Sequence, residues 1–338
     1  MKGSKMSSYS KENASLNLKL KSDTPLQGLL RRREPLIVLL LIFISIALQI
    51  ASGNKFLNPY NLLVMLDRKS PEAFITIGLT YLLITKDFDL SVASVMALAG
   101  MVCAWFISQG TPVVPALIAG MIAGTLVGVL NGMIVTKFKV ASFIATLGTM
   151  YIARSITQII AQGKPISNMP EEFIKIGTFR IFGLPWYFIL LIITLAILQI
   201  LLKKQKSMSS LFYVGTNERA SQMVGINTVK TRWVMFIVSA AIASFAGLIL
   251  TAKSYSASPI AFDKLELRYI AACVIGGASI SGGQGSIVGS VLGFLLIVLI
   301  GNSMTLFGVS PYWEGVIFGS VLAIAAIADS LSQKQKGR

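Results

Sequence analysis

The 338 residues are 54% hydrophobic and 13% charged, with a mean hydropathy of +0.73 and a formal charge of +16. That apolar content exceeds what an ordinary soluble domain carries, so the chain reads as an all-α polytopic membrane protein. The basic excess sits in loops instead of gathering on one folded face, which argues against a nucleic-acid partner, and the absence of histidine removes the commonest general base, so no catalytic residue, metal or cofactor is expected.

In chain order, residues 1–34 are polar, close on Arg31-Arg32-Arg33 and read as a disordered cytoplasmic tail. Ten apolar runs follow, at 35–52, 71–85, 92–108, 113–135, 142–161, 186–202, 233–252, 267–279, 286–307 and 312–331. Most are long enough to cross a hydrocarbon core. The second is short and follows the polar cluster Asp67-Arg68-Lys69-Ser70-Pro71, so it is expected to be broken or interfacial. The runs define one transmembrane domain over 35–331, with a cytoplasmic tail at 332–338. With the N-terminus inside, alternation puts both termini and 20 of the 30 Lys and Arg residues in the cytoplasm, in agreement with the positive-inside rule. Cys103 and Cys273 lie within apolar runs and imply no disulfide framework. Arg154, near the outer end of its run, is expected to snorkel to the headgroups.

Gly120, Gly124, Gly128 and Gly132 recur every fourth residue in the fourth run, as do Gly285, Gly289 and Gly293 in the ninth. Each set makes a smooth stripe on which another helix can pack closely. The stripes stand about 165 residues apart, and LLITKDFD at 82–89 echoes LILTAKSYS at 248–256. Five runs separate equivalent elements, an odd number, so the two copies face opposite ways. Spans two to five and seven to ten are therefore expected to form an inverted repeat.

Between the sixth and seventh runs lies the polar loop 203–232. Within it Thr216 or Asn217 can cap a helix start, and Gly225 can take the left-handed conformation that ends one, leaving about two turns. Ala220, Met223 and Val224 share one face. So short a helix is marginal in water and needs something to dock against. Two readings stand, a connector resting on the membrane surface and a docking element for another chain.

The most unusual polar site is ITKDFDLSVAS at 84–94. Asp87, Asp89 and Ser91 either line a polar pathway or mark the membrane edge, with Asp89 or Ser91 capping the third span. Ser142, Thr146 and Thr149 form a hydroxyl stripe that suits a wet pathway or, equally, tight helix packing with hydroxyls bonded to their own carbonyls. The run Gly276-Gly277-Ala278-Ser279-Ile280-Ser281-Gly282-Gly283-Gln284-Gly285 lacks the Lys-Ser/Thr of a phosphate loop and reads as a tight turn.

Several of these segments carry a resemblance. Asp89-Leu90-Ser91-Val92, the stretch from Phe143-Ile144 through Thr146-Leu147-Gly148-Thr149, the glycine-rich turn, and Gly215, Thr216, Asn217, Glu218, Ala220 with Gly225-Ile226-Asn227 resemble ribose-type permeases. Those are the membrane subunits of ATP-binding-cassette importers for monosaccharides. Lys86, Asp87 and Phe88 depart from the two glycines and aliphatic residue usual there, and Ala93 from a glycine. The resemblance implies that Gly215, Thr216, Asn217, Glu218, Ala220, Gly225 and Ile226 couple to a partner ATPase. It implies a translocation pathway, to which Asp87, Asp89, Ser91, Ser142, Phe143, Thr146 and Thr149 are assigned. It further implies a second permease copy or paralogue, two ATPase domains, an extracytoplasmic binding protein and a small polar solute, in a bacterial cytoplasmic membrane. The alternatives are a permease for nucleosides or branched-chain amino acids, an ion-coupled transporter using Asp87 and Asp89, or a membrane enzyme built on the same pair.

Overall fold

The computed structural model describes residues 33–310 and 312–336. Among them are thirteen helices and one two-stranded hairpin. In order these are α1 (Arg33–Ala51), α2 (Pro59–Ile84), α3 (Val92–Ser108), α4 (Val113–Thr136), α5 (Ser142–Ala161) and α6 (Glu171–Thr178). The hairpin β1 (Arg180–Ile181) and β2 (Leu184–Pro185) follows, then α7 (Trp186–Lys204), α8 (Lys206–Thr216) and α9 (Glu218–Met223). The last four are α10 (Thr228–Lys253), α11 (Glu266–Ile275), α12 (Ile287–Leu306) and α13 (Trp313–Lys336). Five of them, α1, α4, α5, α10 and α12, are long and apolar enough to cross a membrane. The shorter apolar helices include α3 and most of α7. The chain is a multi-pass membrane protein.

Three boundaries differ from the sequence reading. The tail expected over 1–34 lies outside the described residues, apart from Arg33 and Glu34, which open α1. At the other end α13 runs on to Lys336, so 332–336 is helix instead of tail. The second span is not broken, because α2 is one helix of 26 residues that carries Pro71 inside it. A proline there cannot donate to the carbonyl four residues back, that of Asp67. The Tyr187 hydroxyl, from the first turn of α7, reaches that carbonyl at 2.9 Å and so satisfies the freed group.

The packing follows from small residues. On α10, Ala240, Ala243, Ser244, Ala246 and Gly247 are buried, and this helix packs against α2, α3, α4 and α6. The glycine stripe of α4 faces α3 and α10. A Cβ on Gly120 would stand 2.5 Å from the Ala99 carbonyl, and one on Gly128 2.6 Å from that of Phe236. On α12 a Cβ on Gly289 or Gly293 would overlap the carbonyls of Gly276 and Ala272, whereas Gly285 lies in the turn before the helix, where a Cβ would meet the Ile84 side chain.

The pairing of helices is nearly its own image when α2, α3, α4 and α5 are exchanged with α10, α11, α12 and α13. The pairs α3–α4 and α3–α5 correspond to α11–α12 and α11–α13, while α10–α4 and α10–α3 correspond to α2–α12 and α2–α11. The α2–α10 contact maps onto itself. This pattern is what an internal repeat over spans two to five and seven to ten requires.

Arg154 does not reach outward to headgroups. Its guanidinium, part-buried on α5, donates to the carbonyls of Pro259 (3.3 Å) and Ala261 (2.6 Å) in the loop after α10. A folded loop lies within its reach, so the charge is satisfied by protein.

Candidate functional site

Asn217 ends one helix and begins the next. Its backbone is extended at φ −153°, and its Oδ1 accepts from the Ala220 N–H at 3.0 Å, which caps α9. At the other end Gly225 has φ +83°, Ile226 donates to the Ser221 carbonyl (3.0 Å), and Gly225 donates to that of Gln222 (3.0 Å). That double bond pattern is the glycine-dependent helix stop. Asn227 then caps α10 by accepting from Lys230 N–H at 2.9 Å. Six helical residues thus stand between two caps, with Met223 89% and Val224 76% exposed. Gly225→Val is expected to cost about 1–2 kcal/mol, since a Cβ strains the left-handed conformation. The check is hydrogen exchange over 217–227, which should quicken in the variant, and an unchanged rate would refute the assignment.

Gly215 does different work from its neighbours. It is buried where α8 crosses the end of α2, and a Cβ there would overlap the Ile84 carbonyl. That same carbonyl accepts from the Gly283 N–H at 2.9 Å, so the glycine-rich turn, α2 and α8 meet backbone to backbone. Thr216 is exposed and bonds its own Phe212 carbonyl at 2.8 Å.

From the first turns of α10, Arg232 makes a two-point contact with Asp87, Nη2 to Oδ1 at 2.7 Å and Nε to Oδ2 at 2.8 Å. Its Nη1 also lies 3.3 Å from Glu218 Oε2 on α9. Asp87 is fully buried. The α2–α3 loop that holds it begins at Lys86, which has φ +67°, with Lys86 N–H donating to the Leu83 carbonyl and Asp87 N–H to that of Leu82. Lys86 therefore occupies a left-handed helix stop, a conformation that glycine adopts most readily.

The rest of that loop is held by α4 and α5. Ser142 Oγ accepts from the Phe88 N–H and Thr146 Oγ1 from the Leu90 N–H, each at 3.1 Å. Asp89 Oδ1 accepts from the Ser91 N–H (2.8 Å) and hydroxyl (2.6 Å). Asn131 of α4 donates to Ser91 Oγ at 2.9 Å and accepts from Thr149 Oγ1 at 2.6 Å. Among the described residues Asp89 Oδ2 has no partner. So Asp87, Asp89, Ser91, Ser142, Thr146 and Thr149 lie in one polar seam that starts at Glu218. Phe143 stands apart, 53% exposed, on the wall of an open cavity of about 750 Å³ that also meets Asp87, Ser142, Glu218 and Arg232.

Arg232 and Asn131 were not singled out in the sequence. Arg232 looks like one more loop cation. Asn131 carried a usable signal, since it is the only amide within the apolar run of α4. Among the described residues no three metal-ligating side chains converge.

The chain matches known proteins over most of its length. It is 36% identical over 304 residues to ribose import permease protein RbsC of Bacillus subtilis, covering 89% of this chain and 94% of that one. It is also 36% identical over 301 residues to the L-arabinose transport system permease protein AraH of Escherichia coli, covering 89% and 91%. RbsC of Haemophilus influenzae is 35% identical over 297 residues, covering 87% and 91%. No solved structure matches significantly. The family model described as branched-chain amino acid transport system / permease component matches residues 62–326, and the chain belongs to that family of permease components.

Proposed function

We propose that this protein is the permease subunit of an ATP-binding-cassette importer that moves a monosaccharide or related small polyol inward by alternating access. ATP is hydrolysed on a separate subunit. Support for the solute class comes from the relatives named for ribose and L-arabinose. The family description names branched-chain amino acids, which keeps an amino-acid permease as the second reading. Of the two carboxylates an ion-coupled carrier would use, Asp87 is committed to Arg232 at 2.7 Å.

The observation that carries the coupling role is α9, capped at both ends, apolar on its outward face, and tied through Glu218 and Arg232 to the buried loop. In this reading Asn217, Glu218, Ala220, Gly225 and Ile226 form the surface that meets the ATPase, with Thr216 beside them and Gly215 setting the approach of α8. The seam from Asp87 to Thr149 forms the inner closure of the pathway, with Phe143 on its cytoplasmic wall. The assembly holds a second permease copy or paralogue, two ATPase domains and an extracytoplasmic binding protein. Both termini are cytoplasmic, by the charge distribution.

The test is uptake into proteoliposomes that carry the permease with its ATPase and binding protein. ATP-dependent import of D-ribose, L-arabinose or another monosaccharide is expected. Leucine import without any sugar import would favour the second reading. Glu218→Lys, which puts two cations side by side, is expected to reduce co-purified ATPase at least fivefold. Full recovery of the ATPase with that variant would return α9 to a solvated connector.

A further inference from the structure

The polar seam is not the only place where charged side chains are packed between helices. A second cavity, of about 310 Å³, opens between α2, α11, α12 and α13. Its lining comes from the first half of α2, the first turns of α11 and α13 and the last turns of α12. Ionisable groups packed between helices are costly unless they are paired. Here they are paired. Lys69 Nζ meets Glu72 Oε1 at 2.6 Å, and Glu72 Oε2 accepts from the Tyr269 hydroxyl at 3.3 Å. Across the cavity Arg268 of α11 meets Glu314 of α13 at 2.6 Å.

At one wall two amides face each other from residues 241 apart in sequence. Asn61 donates to Asn302 at 3.2 Å and Asn302 donates back at 3.0 Å. The cavity is flanked by α11, a helix of ten residues that stops at the glycine turn.

We infer that this cavity is the station at which the permease holds its solute, and that the solute it fits is an uncharged polyol of monosaccharide size, bound by Asn61, Asn302, Lys69, Glu72 and Arg268. This rests on the importer reading above. Its volume falls at the lower end of ordinary ligand pockets. The charges facing it are matched, Lys69 with Glu72 and Arg268 with Glu314, and Arg68 lies at the exposed rim. The carboxylates that face the cavity are each already paired with a cation, so the ammonium of a zwitterion meets no unpaired carboxylate there. A hydroxyl, which both donates and accepts, can insert into the amide pair and use the lone pairs and N–H groups that the ion pairs leave free. Each such insertion trades one bond for another, which keeps the hold weak enough for release.

The test uses the assembled transporter in proteoliposomes and the Asn302→Cys variant. The native thiols Cys103 and Cys273 are buried, so a membrane-impermeant thiosulfonate reagent should report on the new position. The probes are D-ribose, L-arabinose, D-glucose and L-leucine. The sugar that the wild-type transporter imports is expected to slow labelling at least fivefold, and labelling is expected to cut its uptake at least tenfold. Phe182→Cys, at the exposed hairpin tip, should label at one rate with or without sugar. If Asn302→Cys does not accumulate, Thr305→Cys, three residues on and lining the same cavity, gives the same measurement. Wild-type import of a sugar that leaves labelling of the cavity position unchanged would overturn this site and leave the importer reading standing. Protection by leucine alone would overturn the polyol assignment. Import of no sugar by the wild type would instead overturn the function on which the site rests.

Discussion

Arg232→Met is expected to cost the permease about 3–5 kcal/mol, because it leaves the carboxylate of Asp87 buried without its cation. Among the described residues, the other side chain that hydrogen-bonds that carboxylate is Thr85, whose hydroxyl donates to it at 3.3 Å. On the stability slopes of domains this is a loss of more than about 5 °C in the melting temperature in detergent. Removing both charges, as Asp87→Leu with Arg232→Met, should recover most of that loss, since a buried ion pair exchanged for apolar packing is often neutral. Coupling should not recover with it. Glu218 touches the membrane domain through Arg232, so the double variant should be stable yet show weakened solute-dependent ATP turnover. If the double variant regained both stability and turnover, the pair would be a packing device alone. If Arg232→Met melted like the wild type, the buried carboxylate would have another way to be satisfied, and the description of the seam would be wrong.

The second large effect lies where α11 and α12 cross. A side chain on Gly289 would run into the carbonyl of Gly276, and one on Gly276 into the backbone of Gly289, so neither helix can yield by turning a rotamer. Gly289→Leu is therefore expected to abolish accumulation of assembled permease, read as loss of the monodisperse peak on size-exclusion chromatography. Gly124→Leu should do less damage, because the nearest atom there is the Ser244 hydroxyl on a side chain that can rotate. Gly148 is the control, since nothing lies within 4 Å of a Cβ placed on it. Gly148→Ala should leave accumulation unchanged or raise it slightly, as helix propensity favours alanine. Equal accumulation of Gly289→Leu and Gly148→Ala would contradict the backbone contact between the two helices.

Much of this protein is local and could be read from residues alone. Apolar length gave most of the membrane helices, because a helix that satisfies its own backbone needs only enough greasy residues to cross. The caps of α9 were legible too, since Asn217 and Gly225 act on backbone groups within four residues of themselves. The glycine stripes could be seen as stripes, from a repeat of four on a helix of 3.6 residues per turn. Their targets could not.

What tertiary structure decided are the contacts between polar groups far apart in sequence. Arg232 and Asp87 are separated by 145 positions and Asn61 and Asn302 by 241, and no periodicity links such pairs. The short second run behind a polar cluster predicted a broken or interfacial span, yet α2 runs through Pro71 unbroken, and the carbonyl that the proline leaves free finds the Tyr187 hydroxyl from another helix. Arg154 reads as a surface cation and binds carbonyls of a loop that only the folded chain brings over it. The division has one physical cause. Hydrophobic length, caps and small-residue spacing act through neighbours in the chain, whereas a charge at membrane depth must be met by whatever the packing of helices brings within hydrogen-bond reach.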